Sequence, residues 1–258
     1  MRFTTIVLLC SSLVACMNRG AGNNVDSAES AIDSSDSVGS ESDLMVATMD
    51  GAEVTGPLPA TTDQIAVRIA ANVALRWASG CAKVTPNGAN LTITFTDCTG
   101  PRGLLHVSGA LDVAITVSDT AITAHATSND MQINRANLVI DATATYAVNG
   151  TTKTLTVETN GSGTGPRGNE IEHQGNYTVT WDTASQCRSI DGMWQTDLGD
   201  RERSNEVNLS RCNGGCPTGT LTHHFLAGAS LTITFDGTAT ATWSASNGKS
   251  GTVALSCQ

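Results

Sequence analysis

Aromatic residues are scarce in this chain, since Phe, Trp and Tyr together make up 4% of its 258 residues. An aromatic side chain buries about 150–250 Å² of surface, so a chain with few of them must build its core from smaller groups. We therefore expect Val, Ile, Leu, Ala and the methyl groups of Thr to form a thin core. Such a core gives disulfide bonds a structural task.

Basic residues are also few, with 14 Lys and Arg against 24 Asp and Glu. The acidic excess is uneven, because residues 17–56 hold eight acidic residues and one basic residue, Arg19, whereas residues 57–258 hold sixteen acidic and twelve basic residues. No basic stripe is present that could follow a phosphate backbone or anionic headgroups. The charge pattern thus argues against nucleic acid as a partner.

Familiar catalytic motifs are missing as well. The sequence has no Gly-x-Ser-x-Gly elbow and no His-Glu-x-x-His pair. The segment 163–168 matches the Gly-x-Gly-x-x-Gly fingerprint of dinucleotide sites, but no helix pattern follows it, so we predict a loop. Ser246 and Lys249 form a Ser-x-x-Lys motif of penicillin-recognising enzymes, yet they lie in a predicted hairpin turn rather than on a helix.

Two groups of charged residues remain as candidates for chemistry. Glu170 and Glu172 would share one strand face beside His173, where two carboxylates could serve as acid and base. We favour exposed surface charge, so substitutions at these three positions should be nearly neutral. The run 197–206 holds several carboxylates but lacks the spacing of a calcium loop, which favours a salt-bridged surface loop. We expect no catalytic residue, no metal site and no cofactor.

The first sixteen residues predict a targeting signal. Arg2 precedes an apolar run over residues 3–14, which is too short to cross a bilayer as a stable helix. The run ends in a lipobox, Leu13-Val14-Ala15-Cys16, and in this the segment resembles bacterial lipoproteins. The resemblance implies that residues 1–15 are a signal peptide and that Cys16 carries acyl chains, palmitate among them, which hold the protein on a membrane.

The same resemblance implies a location in the cell envelope. In enteric-type sorting, an Asp after the lipidated cysteine retains a lipoprotein at the inner membrane, and this chain has Met17 there. We therefore expect the outer membrane of a Gram-negative bacterium. Residues 16–56 are rich in Ser, Gly, Asn and Asp without any aromatic residue, which predicts a disordered acidic tether. Residues 57–258 are then a single domain.

One helix is predicted at the start of that domain. The segment Gln64 to Ala78 is rich in Ala, Ile, Val and Leu, and Thr61, Thr62 and Asp63 provide capping groups ahead of it. Polar residues recur on it at four-residue spacing, and apolar residues occupy the other positions. The helix should therefore be mostly buried against another part of the fold.

From Cys81 onward, Thr, Val, Ile and Ala alternate, and Asn-Gly and Asp-Gly dipeptides recur. Alternation predicts strands, and these dipeptides predict hairpin turns. A two-residue loop at 149–150 pairs Tyr146 with Lys153, Ala144 with Leu155 and Ala142 with Val157. Three-residue loops at 236–237 and 247–248 give the pairs Phe235 with Ala239, Ile233 with Ala241, Leu231 with Trp243, Trp243 with Val253, Ala241 with Leu255 and Ala239 with Cys257. The fold class we expect is all-β dominated: a large twisted antiparallel sheet, curled or partly closed, with the N-terminal helix packed on it.

Six cysteines remain once Cys10 leaves with the signal peptide and Cys16 is lipidated. In an oxidising compartment they predict three disulfides, with fifteen possible connectivities. We expect Cys81–Cys98, Cys187–Cys212 and Cys216–Cys257. The first pair is the least secure, because a two-residue loop at 87–88 would place Cys81 opposite Thr94. A zinc site at residues 212 and 216 lacks a second close ligand pair, since the adjacent histidines 223 and 224 point to opposite faces of a strand.

Three functions are compatible with these features. The cysteine-punctuated Ala- and Thr-rich pattern resembles envelope lipoproteins of Gram-negative bacteria, and the leading hypothesis is a non-enzymatic structural or interaction domain anchored through its N-terminal lipid. Its partner would be an envelope protein. The second hypothesis is a carrier that binds an apolar ligand in the curl of the sheet. A hydrolase is the third, and only scattered carboxylates favour it.

Overall fold

The computed structural model describes residues 61–77, 80–99, 106–133, 136–165, 168–182, 184–198, 202–212, 215–225 and 228–254. The predicted signal peptide, the lipidated Cys16, the acidic tether and Cys257 lie outside these residues. No helix within the described ranges has the length and apolar composition that crossing a membrane requires.

One helix and one antiparallel sheet of 13 strands make up the described fold. The strands follow one another across the sheet in chain order, so every connection is a hairpin, and β1 and β13 are the two edges of an open sheet. This confirms the predicted all-β class with a single helix. The elements are α1 Thr62–Arg76, β1 Ala82–Asn87, β2 Asn90–Thr99, β3 His106–Val117, β4 Ala121–Ile133, β5 Ala136–Asn149, β6 Thr152–Thr164, β7 Glu170–Asp182, β8 Cys187–Leu198, β9 Glu202–Cys212, β10 Thr218–His224, β11 Ser230–Asp236, β12 Thr240–Ala245 and β13 Ser250–Ala254.

Helix α1 begins with a capping box. The Thr61 hydroxyl accepts a hydrogen bond from the Gln64 amide, and the Gln64 side chain accepts one from the Thr61 amide. These two bonds satisfy donors that a helix start leaves without partners. The helix ends at Arg76 rather than at Ala78, since Trp77 adopts an extended conformation.

Among the side chains of α1 that the structure describes, only one side is buried, so the prediction that the helix is mostly buried is wrong. Ile65, Ala66, Ile69 and Val73 face the sheet, whereas Val67 is 59% exposed. The helix contacts β1, β2 and β3, and the Trp77 ring packs edge-on against Phe95 with the ring centroids 5.0 Å apart. Apolar residues occur on the outer side as well because Ala and Val cost little when exposed singly on a surface.

The sheet has an inner face, on which α1 lies, and an outer face. Alternate residues of most strands are buried and exposed, for example in β5, where every second residue from Ala136 to Tyr146 is buried. The helix contacts only the first three strands closely, yet inner residues as far as Ala241 on β12 are buried. The sheet must therefore curl, so that its inner face packs against itself.

The 149–150 hairpin forms, but its predicted register is wrong by two residues. Tyr146 pairs with Leu155 and Ala144 with Val157, because Gly150 and Thr151 are the loop residues and Asn149 ends β5. Gly150 has φ of 62°. A glycine with positive φ at the first loop position is typical of a type II′ turn, whereas the prediction placed Asn and Gly together in the loop. The apolar residues still share one face, since a shift of two preserves it.

The last three strands form the predicted meander, again with registers two residues from those predicted. Between β11 and β12 the pairs are Phe235 with Ala241, Ile233 with Trp243 and Leu231 with Ala245. Between β12 and β13 they are Trp243 with Gly251 and Ala241 with Val253. The loop between β11 and β12 has the predicted three residues, but these are 237–239 rather than 236–238. The Asp236 side chain accepts hydrogen bonds from the amide and the hydroxyl of Thr238 and so holds this turn.

Disulfide bonds join Cys81 to Cys98 and Cys187 to Cys212, two of the expected pairs. A β-bulge explains how the first pair meets. The Thr96 amide donates to the Cys81 carbonyl, and the ladder between β2 and β3 then shifts between Phe95 and Cys98. Asp97 has φ of 47° at this bulge. A bulged strand bends, and here the bend brings Cys98 to Cys81, with the Cα atoms 5.2 Å apart.

Cys187 and Cys212 are direct partners across β8 and β9, so their disulfide links two neighbouring strand ends. Cys216, ahead of β10, is also disulfide-bonded. Its partner lies outside the described residues, as does Cys257, and the pair Cys216–Cys257 stays a prediction.

Candidate functional site

The outer face of the sheet is polar over nearly its full width. Its strand registers align the outward residues of neighbouring strands into continuous rows. One row, which we call the threonine row, crosses eleven strands from β3 to β13. Its members are Thr116, Thr123, Thr145, Thr156, Thr178, Asp191, Asn208, Thr220, Thr234, Thr242 and Thr252.

Side chains of the threonine row bond to one another across the strands. The hydroxyls of Thr123 and Thr145 lie 3.3 Å apart, and Asn208 Nδ2 donates to Asp191 Oδ2 at 2.7 Å. Cross-strand Thr pairs of this kind stabilise a sheet, because the branched side chain fits the pleat and the hydroxyl finds a neighbour. The row therefore has a structural role in keeping the strands in register.

A depression of about 330 Å³ lies on the outer face over β5, β6, β7 and β8. We call it the polar depression. Two cross-strand rows line it, and each row takes one residue from each of the four strands. The first is Asp141, Asn160, Gln174 and Gln195, and the second is Val139, Ser162, Glu172 and Asp197.

The polar depression combines carboxylates with amides. Glu172 and Asp197 are direct cross-strand partners, and like charges in that arrangement oppose pairing of the strands. Asp197 Oδ1 is buried and forms no hydrogen bond among the described residues. The Asp141 Oδ1 atom lies 2.7 Å from His125 Nε2 at the edge of the depression. The depression can therefore accept hydrogen bonds from a ligand and attract a positively charged group.

The lining residues of the depression that the structure describes include no Lys and no Arg. No group of three His, Cys, Asp or Glu side chains within the described ranges has the geometry of a metal site. The side chains that line the depression therefore offer carboxylate and amide oxygens as hydrogen-bond acceptors, and amide nitrogens and the Ser162 hydroxyl as donors.

The predicted positions of Glu170 and Glu172 are confirmed, since both side chains are exposed on the outer face of β7. The expectation of a surface position for His173 is wrong. His173 alternates with them, faces the core and is 8% exposed. Its Nε2 atom lies 3.1 Å from the Thr159 hydroxyl and its Nδ1 atom lies 3.0 Å from the Thr196 hydroxyl. The three residues therefore do not form one cluster.

Burial lowers the pKa of His173 from 6.5 to about 4, and a hydrogen bond with the main chain of Gln195 offsets this only in part. The imidazole is consequently neutral at pH 7, so one ring nitrogen donates a hydrogen bond and the other accepts one. Both threonines are buried with it. We infer that this group is a structural polar network of the core. His173 and its cross-strand partner Gly161 also belong to the lining of the polar depression, between its two rows.

Asp182, at the far end of β7, is a turn residue. Its side chain accepts hydrogen bonds from the amides of Ala184 and Ser185 and from the Thr151 hydroxyl. The Ser185 amide is the largest of the interactions that lower the pKa of Asp182 to about 2. The carboxylate thus stays ionised and holds the turn between β7 and β8.

The other sequence motifs are accounted for by turns. Gly165 and Gly168 close a turn through a hydrogen bond from the Gly168 amide to the Gly165 carbonyl. Gly163 and Thr164 belong to β6, so the loop predicted for the segment 163–168 begins only at Gly165. Ser246 and Lys249 flank the turn between β12 and β13. The prediction of a surface loop over the run 197–206 is wrong for most of its length. Asp197 lies at the end of β8 and residues 202–206 begin β9, while residues 199–201 lie outside the described residues.

Comparison with known proteins gives no further guide, because no protein-family model, no curated protein and no solved structure matches the chain.

Proposed function

We propose that this chain is a membrane-anchored envelope lipoprotein whose β domain binds a basic protein partner on its outer face and performs no catalysis. The polar depression carries the proposal. It gathers three carboxylates, those of Asp141, Glu172 and Asp197, with amide side chains on four adjacent strands. Complementary charge gives an interface its specificity and its rate of association.

The distribution of side chains supports binding over catalysis. A carboxyl group that serves as a general acid is typically held in an apolar pocket, which raises its pKa toward neutrality. Glu172 and Asp141 are instead exposed to water on an open surface. The buried titratable group beneath them, His173, is bonded to two threonines of the core. This arrangement favours the interaction domain over the hydrolase.

The anchor rests on the lipobox at residues 13–16, and residues 16–56 are the proposed tether. A coil of forty residues has a root-mean-square reach of roughly 35 Å, which its acidic residues extend. The domain would stand clear of the membrane on this tether, with the outer face of its sheet accessible to another envelope protein. We place it in the outer membrane of a Gram-negative bacterium.

Replacement of the proposed lipidation site tests the anchor. Cys16→Ser should yield an unprocessed or mis-sorted precursor, because no thiol remains to accept diacylglycerol. Mass spectrometry of the membrane-extracted protein should show a wild-type N-terminus at residue 16 that carries acyl chains. A mature wild-type N-terminus elsewhere, without acyl mass, would contradict the proposal. Cys10→Ser is the matched control and should leave processing intact.

Charge removal tests the binding surface. With a decalysine peptide as the probe, Glu172→Gln combined with Asp197→Asn should weaken binding roughly tenfold, because each lost carboxylate removes up to about 1 kcal/mol of attraction. Titration calorimetry at low and high salt measures this, and the difference should shrink at high salt.

The matched control is Glu170→Gln combined with Asp119→Asn. It removes the same charge from exposed residues that do not line the depression. Equal weakening by both double variants would show that net charge, rather than the polar depression, attracts the peptide, and the proposed surface would then be wrong.

A second candidate function is the binding of an apolar ligand at the inner face. Three aromatic side chains, Trp194 on β8, Trp243 on β12 and Phe225 directly after β10, are only partly buried against the core of that half. Partly exposed aromatic groups on a curled face offer contact area to a lipid tail. Lipid that copurifies with the chain in a one-to-one ratio, detected by native mass spectrometry, would favour this function over the first.

A further inference from the structure

The two edges of the sheet differ in how they are protected. Edge strands expose unpaired amides and carbonyls, and proteins usually block them with proline, lysine, bulges or a covering helix. Strand β1 has three of these features, since Lys83 and Pro86 lie on it and α1 packs against it.

Pro86 occupies a position on the free side of β1. The Thr96 amide donates to the Cys81 carbonyl, so residue 81 and the odd-numbered residues of β1 direct their backbone groups toward β2. The even-numbered residues 82, 84 and 86 therefore direct theirs away from the sheet. Proline has no amide hydrogen, so it removes one donor from this edge.

Strand β13 has none of these features within its described residues, Ser250–Ala254. Its sequence, Ser-Gly-Thr-Val-Ala, contains no charge and no proline. The Ala245 amide donates to the Lys249 carbonyl at 2.8 Å, which makes that pair a hydrogen-bonded pair of the ladder. The odd-numbered residues thus bond to β12, and residues 250, 252 and 254 direct three amides and three carbonyls to the free edge.

We propose that β13 pairs with β13 of a second copy of this chain, antiparallel, about a two-fold axis at Thr252. The free backbone groups are self-complementary in this register. Thr252 faces Thr252 of the second copy, and residue 250 faces residue 254 on either side. The six outward groups of each copy then form six hydrogen bonds in total.

The register also matches the two faces of the sheet. Residues 250, 252 and 254 belong to the outer face, and pairing among them keeps outer residues opposite outer residues. The threonine row, which ends at Thr252, continues into the second copy without a break. On the inner face, position 251 lies opposite position 253. A register shifted by one residue would place the outer face of one copy against the inner face of the other.

Cysteine cross-linking of the full chain in its native membranes tests the register. In the proposed pair the Thr252 Cα atoms are about 5.5 Å apart, within the span of a disulfide. Thr252→Cys should therefore give a band of twice the monomer mass after mild oxidation on a non-reducing gel. Ser250→Cys should not, because the two 250 positions are four residues out of register, about 13 Å apart.

A backbone substitution tests the hydrogen bonds independently. Thr252→Pro removes an amide that points away from β12, and an edge strand tolerates this loss. The substitution should convert the dimer into a monomer, which light scattering in detergent would detect. Thr252→Ala keeps the amide and should stay dimeric. The proposal is overturned if the wild-type chain is monomeric, if Thr252→Cys does not cross-link to itself, or if Ser250→Cys cross-links as efficiently.

Discussion

His173→Ala should lower the free energy of unfolding by about 3 kcal/mol at pH 7. The substitution leaves a cavity, and it leaves two buried hydroxyls without the imidazole to which they bond. His173 bonds to Thr159 and Thr196, and all three residues are buried. Urea denaturation followed by tryptophan fluorescence measures the change. Glu172→Ala is the control from the exposed side of the same strand and should stay within about 0.5 kcal/mol.

The same residue should make the protein sensitive to acid. The pKa of His173 is about 4 in the folded chain, against the ordinary histidine value of 6.5, so between these values the unfolded chain binds a proton that the folded chain does not. Stability is therefore complete above pH 6.5 and falls as the pH is lowered toward 4. The loss approaches about 3 kcal/mol, since one pKa unit corresponds to about 1.4 kcal/mol.

His173→Gln isolates this contribution, because glutamine retains hydrogen-bonding groups but does not titrate. The wild type should lose about 3 kcal/mol more than His173→Gln between pH 7 and pH 4. An equal loss in the two proteins would contradict the assignment of the acid sensitivity to His173.

The burial of His173 could have been predicted from the alternation of the sequence. In the segment 170–173, Glu170 and Glu172 alternate with Ile171 and His173. A strand places His173 on the side of Ile171, which is fully buried. Sequence proximity suggested a cluster of three polar residues, whereas the period of two separates them onto opposite faces. Strand alternation therefore predicts burial better than local composition does.

The presence of the strands and the faces of their apolar residues followed from the sequence, but register did not. The apolar alternation and the Asn-Gly dipeptides placed the hairpins at 87–88, 149–150 and 247–248. At 87–88 and 149–150 the asparagine of the dipeptide ends a strand, and the glycine is the first of two loop residues and has a positive φ. This moves each register by two residues. Both turn types accept the same dipeptide, so the sequence does not distinguish them.

The polar depression could not be predicted for the same reason. Its two rows unite residues from four strands that span positions 139 to 197. An error of two residues in one hairpin moves Asp141 or Glu172 into a different row and separates the carboxylates. Charge and exposure of each residue were predictable singly. Their convergence depends on three registers, which turn geometry and backbone contacts determine.

Gly163 on β6 lies against the backbone of β5 in this register. Gly163→Ala should therefore lower the free energy of unfolding by about 3 kcal/mol or more. A Cβ atom at Gly163 would lie 1.9 Å from the Asn137 carbonyl oxygen and 3.0 Å from the Leu138 Cα. Backbone atoms of β5 cannot move aside as a side chain can, so β5 and β6 would have to separate beside Ser162, in the lining of the depression.

Gly168→Ala is the matched control for this prediction. Gly168 has φ of 80° but open space around its Cβ position, so alanine there should cost only about 1 kcal/mol of backbone strain. Thermal unfolding should place Gly163→Ala several degrees below Gly168→Ala, since about 1 kcal/mol corresponds to about 2–4 °C for a domain of this size. Equal midpoints would show that β5 and β6 are not in close contact at Gly163, and the alignment of Asp141, Glu172 and Asp197 in one depression would lose its support.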